Sequence, residues 1–342
     1  MTTARAYVMR PDDAPAYWQI RNLWHVMATG VQTGGSFCAI DQMVNTNGGG
    51  PPTHYHTQDE GMYIVTGHCS YSAAGDSLRA GPGCFVSVPR YAEHSFVVDA
   101  PGTRFLNFYL PAGFDVLLMG LAVPALRNEL PTPEDYVPLP PRRLVEQLSR
   151  EYGAVPVIAL PFADHPSPEN MVTKPTPAAL VAPRLSNAAS ADAHWFAGGL
   201  WTTLADEASS GGSYCMFEQI MPNGFAAPLH LHEATDEVIF VLEGDLDVLL
   251  GDRVESVPAN SLVFIPRGTA HAVHVNGETA KLLNIYTPTG MERLVATEGQ
   301  RTESRTLPPA NWTPTKMAAD HRQSLLTSIG LKTIAVGNPF QR

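Results

Sequence analysis

The sequence predicts an all-β chain built from two copies of one domain, with a few peripheral helices. Three observations predict it. The 30 prolines and 28 glycines are scattered between short runs of Val, Ile, Phe and Tyr, which is the punctuation of many strands and turns. The chain also resembles itself: LWHVMATGVQTGGSFCAIDQM from Leu23 returns as LWTTLADEASSGGSYCMFEQI from Leu200, an offset of 177 residues. The offset then keeps its register, pairing Cys38 with Cys215, Gln42 with Gln219, Gly67 with Gly244, Asn107 with Asn284, Tyr109 with Tyr286 and Gly153 with Gly330. A period this long marks a duplicated domain rather than a solenoid of short units.

In order along the chain, the first copy occupies residues 1–165, and its clearest strands are MYIVTG, CFVSVP and HSFVVD. Two helices are expected in it. One begins at Gly113 in GFDVLLMGLAVPAL. The other is PRRLVEQLSREYG, which opens on Pro and ends on Gly. A Pro-rich polar stretch reads as a linker over 166–185. The second copy, 186–342, carries VIFVLEG, LDVLL, LVFIP and HAVHV as strands and DHRQSLLTSIG as the counterpart of the PRRLVEQLSREYG helix.

Composition excludes several classes of function. The 342 residues suffice for two domains, and a hydrophobic fraction of 44% is that of a globular chain. No apolar run approaches the roughly 18 residues of a membrane span. The start, MTTARAYVMRPDDAPAYW, has no apolar core of a signal peptide, so a cytoplasmic protein is expected. A net charge of −11 argues against a nucleic-acid partner, which needs clustered Lys and Arg, and serves solubility instead. Cys38, Cys69, Cys84 and Cys215 form no CxxC pair and are expected as reduced, buried thiols.

The chemistry concentrates at one place in each copy. GGGPPTHYHTQDEGMYIVTG holds His54, His56 and Glu60; GFAAPLHLHEATDEVIFVLEG holds His230, His232 and Glu237. Side chains at i and i+2 of a strand share a face, so each histidine pair projects together, and a glutamate arriving after a tight turn can reach the same point. PRYAEH and PRGTAH add His94 and His271, each 34 residues beyond its glutamate. Three imidazoles and a carboxylate suit a divalent first-row metal with positions left open. The glutamate follows the second histidine by one residue more in the second copy than in the first. By alternation His274 points away from the metal face. His25, His68, His165, His194 and His321 have no partner in the repeat and read as ordinary residues, and Cys38 and Cys215 as buried small hydrophobes.

These residues resemble the cupin superfamily. Both copies fit its first motif, G(X)5HXH(X)3–4E(X)6G. Its second motif, G(X)5PXG(X)2H(X)3N, is matched at Gly83, Pro89 and His94, with Tyr91 and Val98 in place of the second glycine and the asparagine. The second copy matches at Pro266, Gly268 and His271, with Asn260 and Val275 as departures. The resemblance covers nearly the whole chain and implies a bicupin, two tandem double-stranded β-helix (jelly-roll) barrels. Within cupins, TGGSF, the GGGPP approach to the histidines and the LSREYG helix resemble quercetin 2,3-dioxygenase-like bicupins.

That resemblance implies one divalent transition metal per barrel, drawn from Fe, Mn, Ni, Co, Cu or Zn with Fe or Ni/Mn favoured, and O2 as co-substrate. It implies a flavonol-like or other enolic aromatic substrate, Glu60 or Glu237 as general base, and a homodimer as the assembly. Alternation from the ligands turns Met62, Ile64, Phe96 and Val98 inward in the first barrel, and Ile239, Val241, Val273 and Val275 in the second. They read as pocket wall or as plain barrel core. Oxalate decarboxylase-like bicupins place an arginine just before the histidine pair, where this chain has Pro51 to Thr53 and Ala227 to Leu229. Gentisate-type cupins lack the glutamate and seed-storage bicupins lack the full ligand set. A metal-dependent isomerase, cyclase or lyase on an enolisable substrate, and a binding protein without catalysis, remain alternatives.

Overall fold

The structure, a computed structural model, describes residues 4–45, 50–152, 155–156, 181–314 and 317–340. Gly48, Gly153 and residues 166–180 of the expected linker lie outside them.

Strands and short helices form two compact units, each with a large antiparallel sheet facing a five-stranded one. In the first barrel the large sheet runs Ala16–Gln19, Asn22–Ala28, Cys38–Val44, Thr103–Leu110, Asp59–Thr66 and Cys84–Val88 in neighbour order. Facing it are His54–Tyr55, His94–Val98, Cys69–Ala73 and Asp76–Ala80. The second barrel repeats this with Gly199–Ala205, Cys215–Pro222, Thr279–Thr287, Asp236–Glu243 and Leu262–Ile265 against Leu229–His232, His271–Val275, Leu246–Leu250 and Arg253–Val257. The expected helices are present as Phe114–Gly120, Arg142–Glu151 and Ala319–Ser328. Two jelly-roll barrels with peripheral helices are thus the architecture.

Strand alternation explains why they close. Inward residues of both sheets pack as one core per barrel. In the first this includes Met62, Ile64, Val86, Val98 and Phe105, and in the second Ile239, Val241, Val263, Val275 and Leu282. The clusters convert removal of apolar surface into stability at about 25 cal/mol per Å².

One boundary differs from the sequence expectation. Residues 4–14 group with the described residues of 186–340 rather than with the first barrel. Tyr7–Met9 pairs antiparallel with Leu262–Phe264, and Ala6 and Val8 pack on the second core. Arg10 fixes the segment through Glu255 at 3.1 Å and the Ser256 carbonyl at 2.9 Å. A strand takes whichever open edge fits its register, and chain order does not choose it.

The duplication has been edited by compensation. Gly61 lies opposite Phe108, whereas their counterparts Val238 and Ile285 lie opposite each other. A Cβ on Gly61 would sit 2.1 Å from Phe108 Cζ. Gly61→Val alone is expected to destabilise the protein by about 1–3 kcal/mol through overpacking, and adding Phe108→Ile should recover most of it. Urea unfolding of the single and double variants checks this, and equal stability of the two would refute it.

Candidate metal centres

Each centre bridges the two sheets of its barrel. His54 and His94 are directly opposite each other on the small sheet, as are His230 and His271. Glu60 and Glu237 come from the facing large sheet, where each pairs with a tyrosine, Tyr109 or Tyr286. His56 leaves the first strand just before the turn into Asp59–Thr66, and His232 closes its own strand at the matching point. The structure therefore brings together all eight ligand candidates as two clusters. Donor atoms of His230, His232, Glu237 and His271 lie within 4.8 Å of one another, as do those of His54, His56 and His94. Glu60 joins the first cluster through His56 Nε2 and His94 Nε2, each 3.0 Å from its Oε2.

The imidazole orientations are set by backbone carbonyls. Nδ1 of His54, His56 and His94 lies 2.8–2.9 Å from the carbonyls of Pro52, Gln58 and Ala92. Nδ1 of His230 and His271 lies 2.8 and 2.9 Å from those of Pro228 and Thr269. A carbonyl can only accept, so Nδ1 carries a proton and Nε2 is the ring nitrogen turned inward, the one that binds a metal once it is unprotonated. His232 Nε2 is buried, 3.3 Å from Glu237 Oε2, and makes no hydrogen bond. An orphaned imidazole nitrogen facing a carboxylate and two further imidazoles fits a divalent cation.

Electrostatics point the same way. Burial, then the neighbouring imidazoles, pushes His54 down to about 3, and the same causes push His230 down to about 4, so both are neutral ligands near pH 7. Burial would also depress His94 and His271, but the hydrogen bond and charge of their glutamates outweigh it and raise both. Burial would raise Glu60 and Glu237; the two imidazoles against each outweigh it and hold both well below the carboxylate range. Each of these two contacts therefore favours a proton on the histidine. A metal must displace it, so affinity falls as pH falls and binding releases protons. Calorimetric titration with Zn(II) in buffers of different ionisation enthalpy should show this release, and buffer-independent heats would contradict it.

Around the ligands lies a polar frame that the motif reading did not assign. Asn107 Nδ2 donates to Glu60 Oε1 at 2.8 Å, and Asn284 Nδ2 to Glu237 Oε1 at 2.9 Å. Asn107 Oδ1 accepts from Gln42 Nε2 at 3.1 Å and from the Tyr109 hydroxyl at 2.6 Å. In both carboxylates one oxygen is held by the amide, and Oε2 is left facing the histidines. Arg90 and Arg267 brace the loops before His94 and His271, each donating through its backbone N–H and side chain to Asp59 or Asp236. The signal for these residues was in the sequence, since Gln42, Asn107 and Tyr109 repeat at the same offset as the ligands. Asn107→Ala should weaken metal binding or activity by about 10–100-fold. Competition with a chelator measures it, and unchanged affinity with unchanged turnover would refute the bracing role.

The departures from the second motif keep its geometry. Tyr91 and Asn260, which stand where glycine is expected, hold φ of +67° and +66°. Gly83 and Gly268 keep the matching left-handed turns. The N–H of Tyr91 donates to the His56 carbonyl at 2.8 Å and that of Gly268 to the His232 carbonyl at 2.6 Å, tying the loop to the second histidine. Of the inward residues, Met62, Ile64, Val98, Ile239, Val241, Val273 and Val275 are buried, and Phe96 is partly so. His274 turns away from its cluster, with Nδ1 against Asn276 Oδ1 at 2.9 Å.

The family model described as Cupin domain matches residues 42–106 and 216–286. Quercetin 2,3-dioxygenase of Bacillus subtilis is 20% identical over 310 residues, 88% of each chain. An uncharacterized Streptomyces coelicolor protein is 30% identical over 92 residues, 25% of this chain and 88% of its own. Among solved structures, Bacillus subtilis oxalate decarboxylase aligns with TM-score 0.56 at 15% identity, over 84% of this chain and 78% of that one. Its structure at pH 4.6 aligns with TM-score 0.55 at 14% identity over the same shares.

Proposed function

Because this chain belongs to the cupin superfamily as a bicupin, we propose that it is a metal-dependent dioxygenase cleaving a flavonol-like or other enolic aromatic substrate with O2. The observation that carries the reading is the pair of buried three-histidine, one-glutamate clusters, each with a carboxylate oxygen facing the imidazoles. The extended relationship to a quercetin 2,3-dioxygenase supports it.

His54, His56, His94 and Glu60 would hold the metal of the first barrel, and His230, His232, His271 and Glu237 that of the second. When bound, the metal polarises an enol hydroxyl and lowers its pKa. Glu60 Oε2 lies 3.0 Å from Nε2 of both His56 and His94, at the centre of the ligand cluster, so it is the atom placed to take the enol proton. Asn107 keeps the other oxygen occupied and the carboxylate oriented. The buried apolar residues beneath the ligands keep water from the deprotonated substrate.

Among the described residues the four cysteines are buried and no disulfide joins them, which accords with the cytoplasmic site we assign. No described helix is long and apolar enough to cross a membrane. The test is oxygen uptake by protein loaded separately with Fe(II), Mn(II), Ni(II), Co(II) or Cu(II), against a panel of flavonols and related enols. Uptake tied to one metal, with carbon monoxide in the headspace, is expected. Full metal loading without uptake on any substrate would move the assignment to isomerisation or lyase chemistry.

A further inference from the structure

The two barrels share their ligands but not the layer directly beneath them. In the first, Met62 lies two residues beyond Glu60 and Phe96 two beyond His94, and Tyr71 sits opposite Phe96 in the strand pair. The rings of Tyr71 and Phe96 are 5.5 Å apart at 34°, and Phe96 meets Phe105 edge-on at 5.7 Å. Residues at the same offset in the second barrel are Ile239, Val248, Val273 and Leu282, all buried and none aromatic or polar.

Tyr71 is the chemically odd member of its layer. It is 2% exposed, yet its hydroxyl donates to Met62 Sδ, a weak acceptor. Buried phenols ordinarily find a strong partner. Burial raises the Tyr71 pKa well above the usual phenol value, so the group stays a donor. No cation stands in this layer, so the oxygen it would satisfy belongs to a neutral carbonyl or hydroxyl rather than a carboxylate.

We propose that the first barrel alone takes the aromatic substrate, with Phe96 as its stacking wall and the Tyr71 hydroxyl as the hydrogen-bond donor that recognises an oxygen on the ring system. This rests on the dioxygenase reading and adds to it which barrel binds and which residues select. On binding, the Tyr71 proton exchanges the Met62 sulfur for a stronger acceptor on the ligand. At the matching positions the second barrel offers only Ile239, Val248, Val273 and Leu282, with no ring and no hydroxyl among them.

The experiment titrates 3-hydroxyflavone into the full, metal-loaded chain under argon, so that binding is read by the absorbance shift without turnover. Tyr71→Phe keeps the ring and Phe96→Val installs the residue of the other barrel; metal content and melting temperature are measured alongside. Wild type is expected to bind one ligand per two metals. Tyr71→Phe should weaken it about 5- to 10-fold, the worth of one hydrogen bond, with metal content and melting temperature unchanged. Phe96→Val should also weaken binding. Wild-type affinity in Tyr71→Phe, or two equivalent ligands per chain, would overturn the proposal and leave the dioxygenase reading standing. No binding to wild type at all would overturn both.

Discussion

Replacing Glu60 with alanine should lower turnover by about 10²–10⁴-fold, the usual worth of a positioned general base, while leaving metal in the first barrel. The reason is a division of labour in the cluster. His54, His56 and His94 each keep a carbonyl partner for Nδ1 that does not depend on Glu60. Three inward Nε2 atoms therefore remain to hold the ion. The carboxylate is the only acidic side chain in that cluster of described residues, and no second base is in place to take an enol proton. Glu60→Gln sharpens the test, because it preserves volume and the Asn107 contact at Oε1 but cannot accept a proton. Wild-type turnover in Glu60→Gln with metal retained would remove the glutamate from the mechanism. Loss of metal in both variants would make it a ligand first.

Removing one histidine from each barrel should have unequal consequences. His54→Ala and His230→Ala are each expected to halve the metal content, because their clusters are built from separate ligand sets. Only His54→Ala should abolish activity. The barrels differ at the glutamate, which comes one residue later in the second copy. All four ligand residues of the second cluster lie mutually within 4.8 Å, whereas the first does so only for its three histidines, with Glu60 drawn to His56 and His94. They differ again in the layer below, where Tyr71, Phe96 and Phe105 correspond in the repeat to Val248, Val273 and Leu282. Metal analysis beside turnover decides it. Equal loss of activity in the two variants would mean that neither site dominates.

The ligand sets were legible because strand geometry is simple. A His-x-His pair on a strand must share a face, and a repeat that holds its register over 177 residues makes coincidence a poor explanation. The helix after Pro141 was legible from its caps for the same local reason. What escaped depended on contacts distant in the chain. The Tyr7–Met9 strand pairs with an edge about 250 residues away, and nothing in its own sequence names that edge. The exchange of Gly61 and Phe108 for Val238 and Ile285 makes sense only when the two strands are paired. Tyr91 and Asn260 read as losses of a motif glycine, yet the backbone keeps the left-handed turn, because tight loops on both sides over-determine it. Asn107 and Asn284 were visible as a repeated pair, but a repeat does not say which side chain an amide will hold.

The measurement that tests the central claim most directly is the fate of isotopically heavy O2. Metal-loaded protein is allowed to turn over an enolic aromatic substrate under the labelled gas, and the organic product is weighed by mass spectrometry. The account predicts both heavy atoms in that product. Product formed at full rate with no heavy oxygen, or equally well without O2, would contradict it and make the protein a non-oxidative bicupin enzyme.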